Sequence, residues 1–175
     1  MGFTSPSEIQ EKAIPVLLNE DTDMVALAQT GTGKTAAFGF PLIQKINVSK
    51  KHTQALILSP TRELCLQITN ELKNYSKFEK GLNPVAIYGG ASITDQARQI
   101  ERGAQIIVAT PGRMQDMINR NLVDISKIEY CVLDEADEML NMGFFEDIKA
   151  ILSHTPKEKH TWLFSATMPK EVATI

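Results

Sequence analysis

Six short apolar runs, spread along the chain, constrain its fold more than any other feature. They are "MVALA" (24–28), "ALILS" (55–59), "VAIY" (85–88), "IIVA" (106–109), "YCVL" (130–133) and "WLFS" (162–165). Each is nearly continuous rather than alternating, the pattern of strands buried on both faces of a parallel sheet. The segments between them carry helical periodicity. Ser7 to Leu18 places Ile9, Ala13, Leu17 and Leu18 on one side, and residues 35–46, 62–78, 92–102, 113–120 and 144–153 read similarly. This βαβα order predicts an α/β three-layer sandwich with a mostly parallel central sheet. Polar connectors fall at 19–23, 47–54 and 153–160.

Composition narrows the function classes. With 175 residues, 43% hydrophobic and 22% charged, the chain suits one globular domain. It has no 18-residue apolar run of the kind that spans a membrane. The opening "MGFTSPSEIQ" lacks the basic-then-apolar layout of a signal peptide. Cys65 and Cys131 lie in apolar contexts, "ELCLQI" and "YCVL", and read as buried reduced thiols in a cytoplasmic protein. A net charge of −3 and a pI near 5.6 exclude a basic footprint over the whole domain. Any nucleic-acid site must therefore be local, built from a few arginines and backbone donors. His52 and His160 read as connector residues and His154 as the end of a helix, with no metal-ligand spacing. Met114, Met117 and Ile118 form a core stripe, and Trp162 reads as packing.

The first chemical signal is "AQTGTGKT", Ala28 to Thr35, after a strand and opening a helix. It fits the phosphate-loop pattern G-x-x-x-x-G-K-[ST] except that Ala28 replaces the first glycine. Gly31 and Gly33 allow the backbone of Gln29, Thr30 and Thr32 to curl, so that N–H groups point at phosphate oxygens. The helix beginning near Lys34 adds the positive end of its dipole. Lys34 is placed for the β- and γ-phosphates, and the Thr35 hydroxyl for Mg²⁺.

The second signal is "YCVLDEADEML", where an apolar strand ends in Asp134, Glu135, Asp137 and Glu138. Like charges this close repel. A phosphate loop gives the first two a purpose, because such enzymes need an acid on a neighbouring strand to hold magnesium. Asp134 is placed to hold Mg²⁺, partly through water. Glu135 is placed to orient or deprotonate the attacking water. Glu138 reads as a solvated acid in a first helical turn.

"DEAD" at Asp134–Asp137, following "AQTGTGKT" and followed by "SAT" at Ser165–Thr167, resembles the DEAD-box ATP-dependent RNA helicases. The resemblance runs through the whole chain in order: "GFTSPSEIQ" (2–10) looks like the family's Q motif, and "PTREL" (60–64), "GG" (89–90) and "TPGR" (110–113) like its RNA-contacting motifs. Alanine at Ala28 is common in that family. The resemblance implies a RecA-like domain that binds ATP with Mg²⁺. It implies that Gln10 reads the adenine edge, which suits an amide that both donates and accepts. It implies RNA contacts at Pro60, Thr61, Arg62, Gly90, Thr110, Gly112 and Arg113. Ser165 and Thr167 would hydrogen-bond the Asp137 carboxylate and couple the nucleotide and RNA sites. The RNA motifs offer no obvious stacking aromatic, so binding through the backbone without sequence preference is expected.

The family has a second RecA-like domain whose arginines complete hydrolysis, and none of its motifs occurs in this chain. Both ends read as cut, and the Q motif's upstream aromatic would precede residue 1. The expectation is a monomeric first RecA-like domain, 1–175, that binds ATP and RNA weakly and does not unwind duplexes alone, since an arginine finger can contribute orders of magnitude in rate. Two other classes stay open: a phosphate-loop ATPase acting on DNA or protein, and a non-catalytic ATP-gated RNA clamp.

Overall fold

The six apolar runs form one sheet of six parallel strands. The strands are β1 (Met24–Leu27), β2 (Ala55–Leu58), β3 (Pro84–Ile87), β4 (Ile106–Ala109), β5 (Tyr130–Leu133) and β6 (His160–Ser165), in spatial order β1-β6-β5-β2-β4-β3. This computed structural model describes residues 7–19, 22–28 and 33–175. The expectations for residues 2–6 of the Q motif and for Gln29, Thr30, Gly31 and Thr32 lie outside the described residues.

Alternation along each strand builds two cores. Leu56, Leu58, Ile107, Ala109, Cys131, Leu133 and Leu163 face one side of the sheet. Ala55, Ile57, Ile106, Val108, Tyr130, Val132, Trp162 and Phe164 face the other. Helices α1 (Glu8–Asn19), α2 (Lys34–Lys45) and α3 (Arg62–Tyr75) cover the second face. Helices α4 (Ile93–Glu101), α5 (Pro111–Asn119), α6 (Ala136–Asn141), α7 (Phe145–Leu152) and α8 (Lys170–Ala173) cover the first. The three-layer expectation holds, with a sheet parallel throughout. Met114, Met117 and Trp162 are core residues. Burial pushes both thiols up to about 12, which leaves Cys65 and Cys131 inert.

Some details differ from the sequence reading. Strand β1 is not buried on both faces. It is an edge strand whose Val25 and Leu27 remain 62% and 63% exposed, while Ala26 packs into the core beneath. His160 is the first residue of β6 rather than part of a connector, and its ring lies 5.9 Å from that of Tyr130. Strand β3 runs one residue earlier than "VAIY". Pro84 can open it because a first strand position at a sheet edge needs no N–H donor. Tyr88 leaves the strand because a side chain, described below, takes both its backbone groups. Helix α5 starts at Pro111, whose fixed φ suits a first helical position. Helix α3 stops at Tyr75, where the Ser76 hydroxyl donates to the Leu72 carbonyl at 2.7 Å.

Candidate functional site

Apart from the segment opening the chain, the described residues of the motifs picked out in the sequence lie at the carboxyl ends of the strands, where open parallel sheets collect ligands. The strand order sorts them. Strands β1, β6 and β5 carry Ala28, "SAT" and "DEAD" at one end of the edge; β2, β4 and β3 carry "PTR", "TPGR" and "GG" at the other.

At the first end, Lys34 opens α2 and reaches across to β5. Its Nζ lies 3.2 Å from Asp134 Oδ1 and 3.7 Å from Glu135 Oε1, and all three side chains are largely buried. Burial pushes the Asp134 carboxyl above the usual carboxylate range, against the pull of the Lys34 ammonium. Asp134 Oδ1 accepts no hydrogen bond from any described residue. A buried carboxylate oxygen faced by an ammonium outside hydrogen-bonding geometry has spare capacity for a hard cation. Lys34, Thr35, Asp134 and Glu135 share a cleft of about 270 Å³ with Gly33, Leu64, Gln67, Glu71 and Tyr75. Ala28 is tied to the "SAT" strand by its N–H, which donates to the Ser165 carbonyl at 2.9 Å.

Two backbone features here could not be read from spacing. Gly33 caps α2 in the left-handed region at φ 81°, and a Cβ there would come within 2.5 Å of Gln10 Nε2. Glu135 adopts φ 52°, ψ 51° as the residue before α6. That region costs a non-glycine residue about 1 kcal/mol or more, and such strain clusters at functional sites. The sharp turn brings the Glu135 carboxylate back toward Lys34.

Gln10 is buried, and both ends of its amide are engaged: Oε1 accepts from the Ser7 N–H at 3.0 Å, and Nε2 donates to the Gly33 carbonyl at 3.2 Å. It thus joins α1 to the start of α2.

The Asp137 link differs in part from the expectation. The Thr167 hydroxyl and N–H donate to Asp137 Oδ2 at 2.9 and 3.1 Å. Ser165 makes its well-formed bonds to backbone groups beside that carboxylate. Its hydroxyl accepts from the Asp137 N–H at 3.2 Å and donates to the Thr167 carbonyl at 2.6 Å. The reason is geometric: Ser165 is fully buried beneath the first turn of α6, where an amide rather than a carboxylate faces it. Burial tends to raise the Asp137 pKa, but the donors from Thr167, the neighbouring Ser165 hydroxyl and the Glu138 N–H hold it below the usual range. Glu138 is exposed.

At the second end, Thr61 caps α3 by accepting the Leu64 N–H at 3.2 Å, whereas Thr110 precedes α5 with no such side-chain bond. Gly90 and Gly112 are exposed, and Pro60 is buried. Arg62 is exposed, with its guanidinium 4.9 Å from the centroid of the Tyr88 ring. Arg113 is not a free fork. Its two Nη atoms donate to the Ala91 carbonyl at 3.1 Å, and Nη1 also donates to Gln96 Oε1 at 3.0 Å. Tyr88 and Gln96 escaped the sequence reading, because a tyrosine after a strand and a glutamine in a helix carry no local signal.

A parallel sheet with a lysine-led phosphate-loop helix and paired strand-end acids defines a phosphate-loop nucleotide-binding domain of RecA-like fold. The DEAD/DEAH box helicase family model matches residues 7–175, and the chain belongs to that family. The ATP-dependent RNA helicase CshA of Listeria monocytogenes is 51% identical over 175 residues, all of this chain and 33% of its own length. The ATP-dependent RNA helicase DeaD of Mycobacterium tuberculosis is 50% identical over 172 residues, 98% of this chain and 30% of its own. The chain thus spans about a third of the length of these curated relatives. The crystal structure of a DEAD box protein from the hyperthermophile Methanococcus jannaschii superposes with a TM-score of 0.91 at 46% identity, over 97% of this chain and 46% of that one. That of a hypothetical ATP-dependent RNA helicase from Sulfolobus tokodaii gives 0.90 at 38%, over 99% and 50%.

Proposed function

We propose that this chain is the ATP-binding RecA-like domain of an ATP-dependent RNA helicase that couples ATP hydrolysis to duplex unwinding or ribonucleoprotein remodelling. The observation that carries the reading is the buried Lys34–Asp134–Glu135 constellation beside the phosphate-loop helix. Lys34 binds the β- and γ-phosphates and offsets their charge. Gln10 selects adenine by turning its amide from Ser7 and Gly33 to the base. Ala28 to Gly33 supply backbone N–H groups to the phosphates. Thr35 and Asp134 would hold Mg²⁺, and the orphaned Asp134 oxygen suits that hard-cation role. The ion, when bound, supplies charge to the phosphates at the point of bond cleavage. Glu135 accepts a proton from the attacking water and orients it.

RNA lies along the β2–β4–β3 end, met by Pro60, Thr61, Arg62, Gly90, Thr110 and Gly112, while Arg113 holds the loop that carries Gly90. Contacts there are to phosphate and sugar, without sequence preference. Asp137, Ser165 and Thr167 couple the two ends. A second RecA-like domain of the same protein closes the cleft and completes hydrolysis; the present domain by itself is monomeric. Among the described residues no helix is long and apolar enough to cross a membrane, and two inert thiols support a cytoplasmic setting. The test is RNA-stimulated ATP turnover by the full-length protein. Strong stimulation by RNA and weak stimulation by DNA of the same length is expected. Equal stimulation by both, or none by either, would overturn the reading.

A further inference from the structure

We propose that Gln96 is a positioning residue that sets the spacing of the RNA-facing motifs without touching RNA. This rests on the reading of the β2–β4–β3 end as the RNA side.

Gln96 lies on α4 and is only 3% exposed. Its amide completes the strand ladder where β3 ends. Oε1 accepts from the Tyr88 N–H at 3.3 Å, and Nε2 donates to the Tyr88 carbonyl at 3.0 Å. A primary amide can do this because it presents a donor and an acceptor side by side, as a peptide group does. The same Oε1 accepts from Arg113 Nη1 at 3.0 Å, using its second lone pair. Arg113 in turn holds the Ala91 carbonyl, directly after Gly89-Gly90. Tyr88, pinned at its backbone, presents its ring to the Arg62 guanidinium.

One buried amide therefore connects all three motifs: "GG" through Tyr88 and Ala91, "TPGR" through Arg113, and "PTR" through the Tyr88 ring under Arg62. Gly90 turns with φ 84° between the two pinned residues Tyr88 and Ala91, so the loop's path is set from both sides. Binding a sugar-phosphate backbone at several points requires those points to be pre-spaced, because any ordering left undone is subtracted from affinity. Arg113 accordingly acts through the loop it holds, and Arg62 is the arginine whose outer face remains open to a phosphate.

The test uses the full-length protein with poly(U), following ATP turnover as poly(U) is varied at saturating ATP and as ATP is varied at saturating poly(U). Gln96→Met keeps the volume and removes all three bonds. The expected result is a roughly five- to tenfold rise in the poly(U) concentration for half-stimulation, the size of about one net hydrogen bond. The KM for ATP should stay that of the unaltered protein. Gln96→Glu keeps the acceptor for Tyr88 and Arg113 but replaces the donor to the Tyr88 carbonyl with a carboxylate oxygen. It should show a smaller rise, and it serves if the Met variant does not fold. Arg113→Met combined with Gln96→Met should cost little more than either alone.

Unchanged poly(U) dependence in both variants overturns the inference while leaving the RNA reading intact. A rise in ATP KM parallel to the poly(U) shift also overturns it, since that marks a general loss of structure. Absence of poly(U) stimulation in the unaltered protein sinks the RNA reading itself, and the inference with it.

Discussion

At the β1–β6–β5 end of the sheet edge, Lys34 and Asp134 keep only 7% and 4% of their side chains exposed, yet Asp134 Oδ1 accepts no hydrogen bond from the described residues. At the β2–β4–β3 end the polar groups are mostly satisfied: Gln96 makes three bonds, Arg113 three, and Thr61 caps its helix. One end thus buries charge at a cost and leaves an oxygen short of donors; the other uses its polar groups as scaffolding. Burying an ion without full hydrogen bonding is expensive, so the first arrangement persists only where something else repays it, which a bound nucleotide and cation would do. Among the described residues the second end leaves only the neutral Ser59 Oγ and Gln115 Oε1 unpaired and buries no charge in that way, which suits a surface that must hold its shape before an extended, sequence-indifferent ligand arrives.

The sharpest way to break this contrast is at Glu135. Glu135→Gln in the full-length protein should lower ATP turnover by about 10²–10⁴-fold while ATP-dependent RNA binding survives. Retained turnover would show that the strained carboxylate is not the base. Asp134→Asn should likewise remove Mg²⁺-dependent turnover, and here stability separates the two ends. The Asp134 pKa is raised in the folded protein, so the folded state binds its proton more readily than the unfolded chain does. Its contribution is most favourable below the ordinary carboxylate range and is lost as pH rises through the raised value. Asp134→Asn should therefore melt at or above the unaltered protein at neutral pH. A clear fall in melting temperature would mean that the Lys34 pairing outweighs desolvation.

A smaller effect is expected at the other end. Arg62→Ala should weaken RNA binding evenly across sequences and reduce the salt slope by about one. A change confined to one sequence would point to base readout. Asp137 offers a still finer contrast with Asp134. Its pKa is lowered, so its contribution is present above the ordinary carboxylate range and lost as pH falls through the folded value. Asp137→Asn should flatten the acid limb of a stability–pH curve by about 0.5 kcal/mol or less, because the group is partly exposed. At the bottom of the scale, Glu138→Gln should leave turnover unchanged and stability within about 0.5 kcal/mol. A large loss there would move the boundary between functional and solvated acids by one residue.

Much of this was legible because the signals are local. Ile57, Val108 and Val132 lie in continuous apolar runs, and such runs make buried parallel strands wherever they fall in the chain. "TGKT" and "LDEAD" each carry their chemistry in consecutive residues. The misreadings share a cause. Val25 belongs to a run as apolar as any other, but its exposure depends on β1 taking an edge. Arg113 reads as a free fork until α4 delivers Gln96, and the loop before it the Ala91 carbonyl, to it. Ser165 and Asp137 meet, but which atoms do so depends on the turn at Glu135.

By itself, the amino-acid sequence determined the elements, the parallel three-layer class and the placing of Lys34, Asp134 and Glu135 at the edge of the sheet, since periodicity, caps and glycine placement act within a few residues. Only the tertiary structure decided the order β1-β6-β5-β2-β4-β3, which divides the motifs into two ends, and the partners of Gln10, Arg113, Gln96 and Asp137. Apart from the Ser7 contacts of Gln10 and the Glu138 N–H on Asp137, those partners lie 8 to 30 residues away along the chain. No local preference can select among them; packing of the two helical layers on the sheet does.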